Sequence, residues 1–96
     1  MIRSFTSDAT EDIFDGKNTK AARAISKNLW PVVSRKLDMV NAAHELRDLQ
    51  VPPSNRLEAL KGDQKGRYSI RVNDQYRITF RFDGHDAHDV RCEDYH

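Results

Sequence analysis

Two runs of strict alternation constrain this chain more than any other feature. Tyr68, Ile70 and Val72 alternate with Ser69 and Arg71, and Tyr76, Ile78, Phe80 and Phe82 alternate with Arg77, Thr79 and Arg81. Successive side chains of a β-strand point to opposite faces, so each run has one apolar and one polar face. Asn73-Asp74-Gln75 between the runs is turn chemistry and predicts a hairpin. A lone ribbon of this kind is only marginally stable, so it needs further strands and a cover for its apolar side.

The cover is readable upstream. Leu29, Val33, Leu37 and Val40 recur at helical spacing, with Trp30 and Met39 flanking them through Ala42-Ala43. Pro31 is tolerated in the first turn of a helix that starts near Ser26–Asn28, because its missing N–H would be unpaired there anyway. This stripe reads as core. One more turn over Leu46–Leu49 precedes Pro52-Pro53-Ser54-Asn55, which forces a loop. Nearer the start, Ser7-Asp8-Ala9-Thr10-Glu11 reads as a helix opening, with a Ser or Asp cap and Glu11 able to reach back. That helix would bury Ile13 and Phe14 and stop at Gly16, while Lys17–Arg23 is basic and reads as loop or early helix. Ile2–Phe5 and Arg56–Leu60 are short strand candidates, Lys61–Gly66 is a loop with two glycines, Asp83–Asp86 is a turn, and Ala87–Cys92 returns as the last strand. The expected fold class is α+β: two N-terminal helices packed on an antiparallel-rich sheet, with residues 1–96 as a single domain.

Composition fits that size. The chain has 96 residues, 38% hydrophobic and 32% charged, sufficient for one modest core. The lone Cys92 excludes an internal disulfide, and its place in an alternating strand predicts a buried thiol. Residues 1–5 lack the apolar region of a signal peptide, and no stretch approaches the ~20 apolar residues of a membrane span. The expectation is a cytoplasmic protein without membrane association.

Net charge is only +1, but it is unevenly spread. Residues 56–81 carry seven Lys/Arg against three Asp/Glu, and residues 82–96 carry Arg91 against five acids. A basic block beside an acidic end is either a polyanion-binding face with carboxylates next to it or ordinary surface charge. Arg71, Arg77 and Arg81 fall on the polar face of the hairpin with no facing acid in the pattern. Arginine's planar fork suits phosphate oxygens, and the same face can equally dock an acidic protein. The sequence closes with Glu93-Asp94-Tyr95-His96, a cluster of side chains capable of proton transfer.

The run Asn55-Arg56-Leu57-Glu58-Ala59-Leu60-Lys61-Gly62-Asp63, the hairpin Tyr68–Phe80 and the closing Glu93-Asp94-Tyr95-His96 resemble the HigB branch of the RelE-type bacterial toxins. Ile2-Arg3-Ser4-Phe5 and the helix Arg35–Ala43 are similar to that branch as well, so the resemblance covers nearly the whole chain. It implies a RelE-like, microbial-RNase-type fold and a ribosome-dependent endoribonuclease that cleaves mRNA in the aminoacyl site. It also implies a HigA-type helix-turn-helix antitoxin, with operator DNA bound only through that antitoxin. The implied partners are therefore the antitoxin, the 70S ribosome and mRNA.

RNA cleavage by its own 2′-hydroxyl needs a base, cations to stabilise the phosphorane and an acid for the 5′-oxygen. By resemblance Lys61 and Arg77 match the phosphate-stabilising positions, and Asp94, Tyr95 and His96 match the terminal cluster, with His96 as proton donor. Lys65, Arg67, Arg71 and Arg81 are the candidate RNA-binding cations. Some members of the branch carry His where this chain has Glu58. Glu58 is thus either the general base or an ion-pair partner of Lys61 or Arg77, and Asp94 is the other candidate base. His44, His85 and His88 match no motif and are expected in solvent, at a helix end and in a loop. No metal-ligand spacing is present, so neither metal nor cofactor is expected. Two other readings remain: a non-enzymatic inhibitor on the same fold, like the ParE toxins, and a degenerate toxin that acts only as operon co-repressor.

Overall fold

The computed structural model describes residues 1–95. Two helices, α1 (Asp8–Phe14) and α2 (Trp30–Ala42), precede strands β1 (Glu58–Ala59), β2 (Tyr68–Arg71), β3 (Tyr76–Asp83) and β4 (Asp86–Asp94). The strands form one sheet in the order β1-β2-β3-β4, with every neighbouring pair antiparallel.

Each helix starts for a local reason. The Ser7 hydroxyl oxygen accepts from the Thr10 amide at 3.2 Å, satisfying one of the orphan N–H groups at the start of α1. Thr10, not Glu11, completes this cap: its hydroxyl donates to Ser7 Oγ at 3.1 Å and accepts from the Cys92 amide at 2.8 Å. The helix start is therefore tied to β4. The chain turns at Gly16 with φ +75°, a region that glycine enters without steric cost. A 3-10 turn at Lys27–Leu29 leads into α2, with Pro31 in its first turn.

The stripe predicted as core is core. Val33, Leu37 and Val40 meet Ile70, Ile78, Phe80 and Val90 from the sheet, and all are fully buried. Lys36 lies on the same buried side, and its ammonium donates to Asn55 Oδ1. Burial depresses the Lys36 pKa, and the neighbouring Arg35 and Arg71 charges add to the effect. The Asn55 amide nitrogen in turn donates to the Leu49 carbonyl at 3.2 Å and the Val51 carbonyl at 3.4 Å. One buried amide thus holds the loop of residues 46–55 against α2.

Several expected boundaries move. The strand predicted over Arg56–Leu60 shrinks to Glu58–Ala59, because Arg56 sits in the left-handed region at φ +46° and cannot continue it. The N-terminal candidate Ile2–Phe5 makes two isolated parallel bridges, Ile2 to Ala87 and Phe5 to Val90, not a full strand. Asp89, at φ +52°, bulges β4 between those bridges and places the register shift against β3. The last strand runs on to Asp94, two residues beyond the predicted end. His88 lies inside β4 opposite Arg81, not in a loop, whereas His44 and His85 are exposed and 6.4 Å apart. Cys92 is half-buried on the core side, and burial pushes its thiol up to about 12. Among the described residues no helix is long and apolar enough to cross a membrane.

Candidate active site

Register decides which side chains meet. Directly paired residues share a face, and β3 pairs Arg77 with Arg71 on one side and Glu93 on the other, and Thr79 with Ser69 and Arg91. These six project from the face opposite the helices. Beside them the loop after β1 contributes Lys61 and Gln64, and the end of β4 contributes Asp94 and Tyr95. Together Leu60, Lys61, Gln64, Arg77, Thr79, Glu93, Asp94 and Tyr95 line an open cleft of about 280 Å3.

Arg77 is the fixed point of the cleft. It is 8% exposed, and its guanidinium donates to Ser69 Oγ at 3.0 Å and the Arg56 carbonyl at 3.4 Å. Glu58 Oε1 lies 3.5 Å from its other terminal nitrogen, and the Tyr95 ring faces it at 4.4 Å. A buried arginine with this many partners keeps one orientation.

Glu93 organises the opposite wall. It accepts from the Thr79 hydroxyl, stands 3.0 Å from the Arg91 guanidinium and accepts a weaker bond from Gln64 Nε2 at 3.4 Å. Burial works to raise its pKa, but the bonds from Thr79, Arg91 and Gln64 outweigh it and hold the carboxyl below its ordinary range. Arg91 Nη2 also donates to Gln64 Oε1 at 3.2 Å. The lysine loop is thereby latched to the strand that ends in Asp94 and Tyr95.

The predicted cations divide. Lys61 and Arg77 line the cleft together with Asp94 and Tyr95. Glu58 stands at the rim as an ion-pair partner of Arg77 and does not line the cleft. The expectation that the arginine face has no acid opposite it is wrong: Arg71 pairs with Asp74, Arg77 with Glu58 and Arg81 with Asp89 at 2.8 Å. The acids come from a turn, a rim strand and a bulge, positions that the period-2 pattern does not index. Arg67 points inward, donating to Thr79 Oγ1 and the Asp89 carbonyl, both at 2.8 Å. Lys65 is exposed in the loop. His96 lies outside the described residues. Among the described residues no three His, Cys, Asp or Glu side chains group as a metal site.

A family model described as the RelE-like toxin of the type II toxin–antitoxin system HigB matches residues 3–96. The chain is a member of that HigB-like toxin family. An endoribonuclease HigB from Proteus vulgaris is 32% identical over the full length of both chains. Toxin HigB-1 of Vibrio cholerae is 42% identical over 66 residues, covering 69% of this chain and 70% of the relative. An uncharacterized Haemophilus influenzae protein is 41% identical over 66 residues, a match spanning 65% of that relative's length. Solved structures show the RelE-like fold: a YafQ mutant from E. coli has a TM-score of 0.69 at 14% identity over 99% of this chain and 92% of its own. YoeB from a Staphylococcus aureus YoeB–YefM complex has a TM-score of 0.62 at 21% identity over 100% and 95%.

In this HigB-like toxin the residues that sequence reasoning missed are Glu93, Thr79, Gln64 and Arg91. Alternation along β4 carries the available signal, since Arg91 and Glu93 share parity and fall on the face of Arg77 once the register is set.

Proposed function

We propose that this toxin is a ribosome-dependent endoribonuclease that cleaves mRNA in the aminoacyl site by attack of the 2′-hydroxyl on the adjacent phosphate. The observation that carries this reading is the buried, oriented Arg77 in one cleft with Lys61, Asp94 and Tyr95. Asp94 takes the 2′-hydroxyl proton in this scheme. It lines the cleft, whereas Glu58 lies at the rim in its ion pair with Arg77. Arg77 and Lys61 stabilise the charge that builds on the phosphorane oxygens, and His96 gives a proton to the departing 5′-oxygen. The products are a 2′,3′-cyclic phosphate and a 5′-hydroxyl, so no water or metal is consumed. Tyr95, stacked on Arg77, holds the guanidinium and shapes the pocket wall.

The described arginines of this face are mostly partnered by acids, so free RNA meets few unengaged cations there. That supports activity on the ribosome, where mRNA is presented in place, over tight binding of free RNA. The partner is a HigA-type antitoxin, consistent with a family defined by toxin–antitoxin pairs.

The test is primer extension on an mRNA under translation, with and without the protein and beside an Asp94→Asn variant. A cut within the codon in the A site, lost without ribosomes and lost in the variant, is the expected result. Growth arrest without any cut would overturn the nuclease reading.

A further inference from the structure

The turn between β2 and β3 is tied to the end of β4. Asn73 Oδ1 accepts from the Gln75 amide at 2.9 Å and the Tyr76 amide at 2.7 Å. The Val72 and Asn73 amides both donate to the Tyr76 carbonyl, at 3.0 and 3.2 Å. These bonds fix the turn by its own backbone and one Asn side chain. Gln75 is exposed, and it reaches the end of β4 twice. Its carbonyl accepts from the Tyr95 amide at 2.6 Å, and its side-chain Nε2 donates to Asp94 Oδ2 at 3.0 Å.

Register alone does not bring Asp94 to the cleft. Tyr76 pairs with Asp94 and Arg77 with Glu93, so strict alternation aims Asp94 away from the face of Arg77 and Glu93. Asp94 nevertheless lines the cleft with Lys61 and Arg77. It ends β4 and is exposed, so packing does not hold its side chain. A short exposed carboxylate exchanges among staggered rotamers, and a group that must take a proton contributes only while it is held in reach. The Gln75 amide fixes one of its oxygens. That donor is neutral, so it orients the carboxylate without cancelling its charge.

We propose that Gln75 is a positioning residue: its amide turns the Asp94 carboxylate toward the cleft, and its carbonyl sets the Tyr95 backbone so that the ring lies on Arg77. The role of Asp94 as base rests on the nuclease reading above; the hold on Asp94 rests on the geometry of the turn. Gln75 is not among the residues that line the cleft, so it acts through Asp94 and Tyr95 and not on the phosphate. The bond to Tyr95 uses the main chain and survives substitution, whereas the bond to Asp94 uses the side chain. Substitution at Gln75 therefore isolates the hold on the carboxylate, at an exposed position that the core does not need.

The experiment measures single-turnover cleavage on programmed ribosomes against toxin concentration for wild type, Gln75→Met and Gln75→Lys. Methionine matches the length of glutamine without a donor, and lysine restores a donor of similar reach. Gln75→Met should lower the plateau rate by roughly 10- to 100-fold with the half-saturating concentration unchanged, and Gln75→Lys should regain most of that loss. A wild-type plateau in Gln75→Met overturns the proposal, as do equal losses in the two variants. So does a changed half-saturating concentration at an unchanged plateau, which makes Gln75 a binding residue. A second measurement reads the contact without catalysis: the side-chain amide signals of Gln75 in a nitrogen–proton NMR spectrum should move in Asp94→Ala, and unmoved signals overturn the proposal. Failure of the two readings is distinguishable. A wild type that cuts nothing overturns the nuclease, and the amide signals still decide whether Gln75 holds Asp94. Lost cleavage in Asp94→Asn beside full cleavage in Gln75→Met overturns only the positioning role.

Discussion

At the scale of single residues, the cleft depends on two charges held by unlike means. Arg77 is fixed by neutral acceptors, the Ser69 hydroxyl and the Arg56 carbonyl, with Glu58 and Tyr95 outside them. Lysine keeps the charge but lacks the fork that spans these partners. Arg77→Lys should therefore reduce single-turnover cleavage on programmed ribosomes by roughly 100-fold or more, with circular dichroism unchanged. Wild-type cleavage in that variant would remove Arg77 from the phosphate site. Glu93 answers to pH. Its folded pKa is held below the ordinary 4.5, so its contribution to stability is present above that value and is lost as pH falls through the folded pKa. Glu93→Gln, which cannot ionise, should show a shallower fall in Tm between neutral pH and about pH 3 than wild type. Parallel melting curves would show that other carboxyls dominate that window. Lys61, Arg77, Asp94 and Tyr95 stood out as candidate site residues because their motifs resemble a family, and the fold brings them to one cleft. Glu93 did not, because its role arises from strand register, which local patterning does not specify.

At the scale of elements, periodicity was informative wherever an element has one buried face. The stripe of α2 and the alternation of β2 and β3 are present as expected, since burial of those faces is what stabilises them. Between them the turn over Leu46–Leu49 was legible, but the way the loop folds back on α2 was not. Residues 46–60 form 3-10 turns at Leu46–Gln50 and Pro53–Asn55, followed by a two-residue strand. Their arrangement is decided by one buried amide bonded to a lysine on α2, a non-local contact. Asn55→Ala should accordingly cost about 2–4 kcal/mol in chemical denaturation, because the Lys36 ammonium and the Leu49 carbonyl lose partners while buried. Arg56 follows directly, so its carbonyl shifts with the loop and Arg77 loses an acceptor. The variant should thus lose cleavage as well as stability. A loss of stability alone would uncouple the loop from the site.

At the scale of the whole molecule, the first six residues are what the sequence most understated. Two bridges do not make a strand, yet this segment forms four backbone hydrogen bonds with β4: Arg3 to Ala87 at 2.8 Å, Thr6 to Val90 at 3.1 Å, Ala87 to Met1 at 2.9 Å and Val90 to Ser4 at 3.0 Å. The Asp89 amide donates to Ser4 Oγ at 2.8 Å, which seats the bulge. β4 ends the sheet order, so its outer row of N–H and C=O groups would otherwise face solvent and template pairing with another chain. The N-terminal segment covers that edge, and beyond it the Thr10 hydroxyl takes the Cys92 amide. Removing residues 1–6 should lower stability by roughly 4 kcal/mol, at about 1 kcal/mol for each of the four backbone bonds, and should make the chain self-associate. Light scattering and thermal melting on the truncated chain measure both effects. A truncated chain that stays monomeric with an unchanged Tm would mean that the bulge at Asp89 by itself protects the edge.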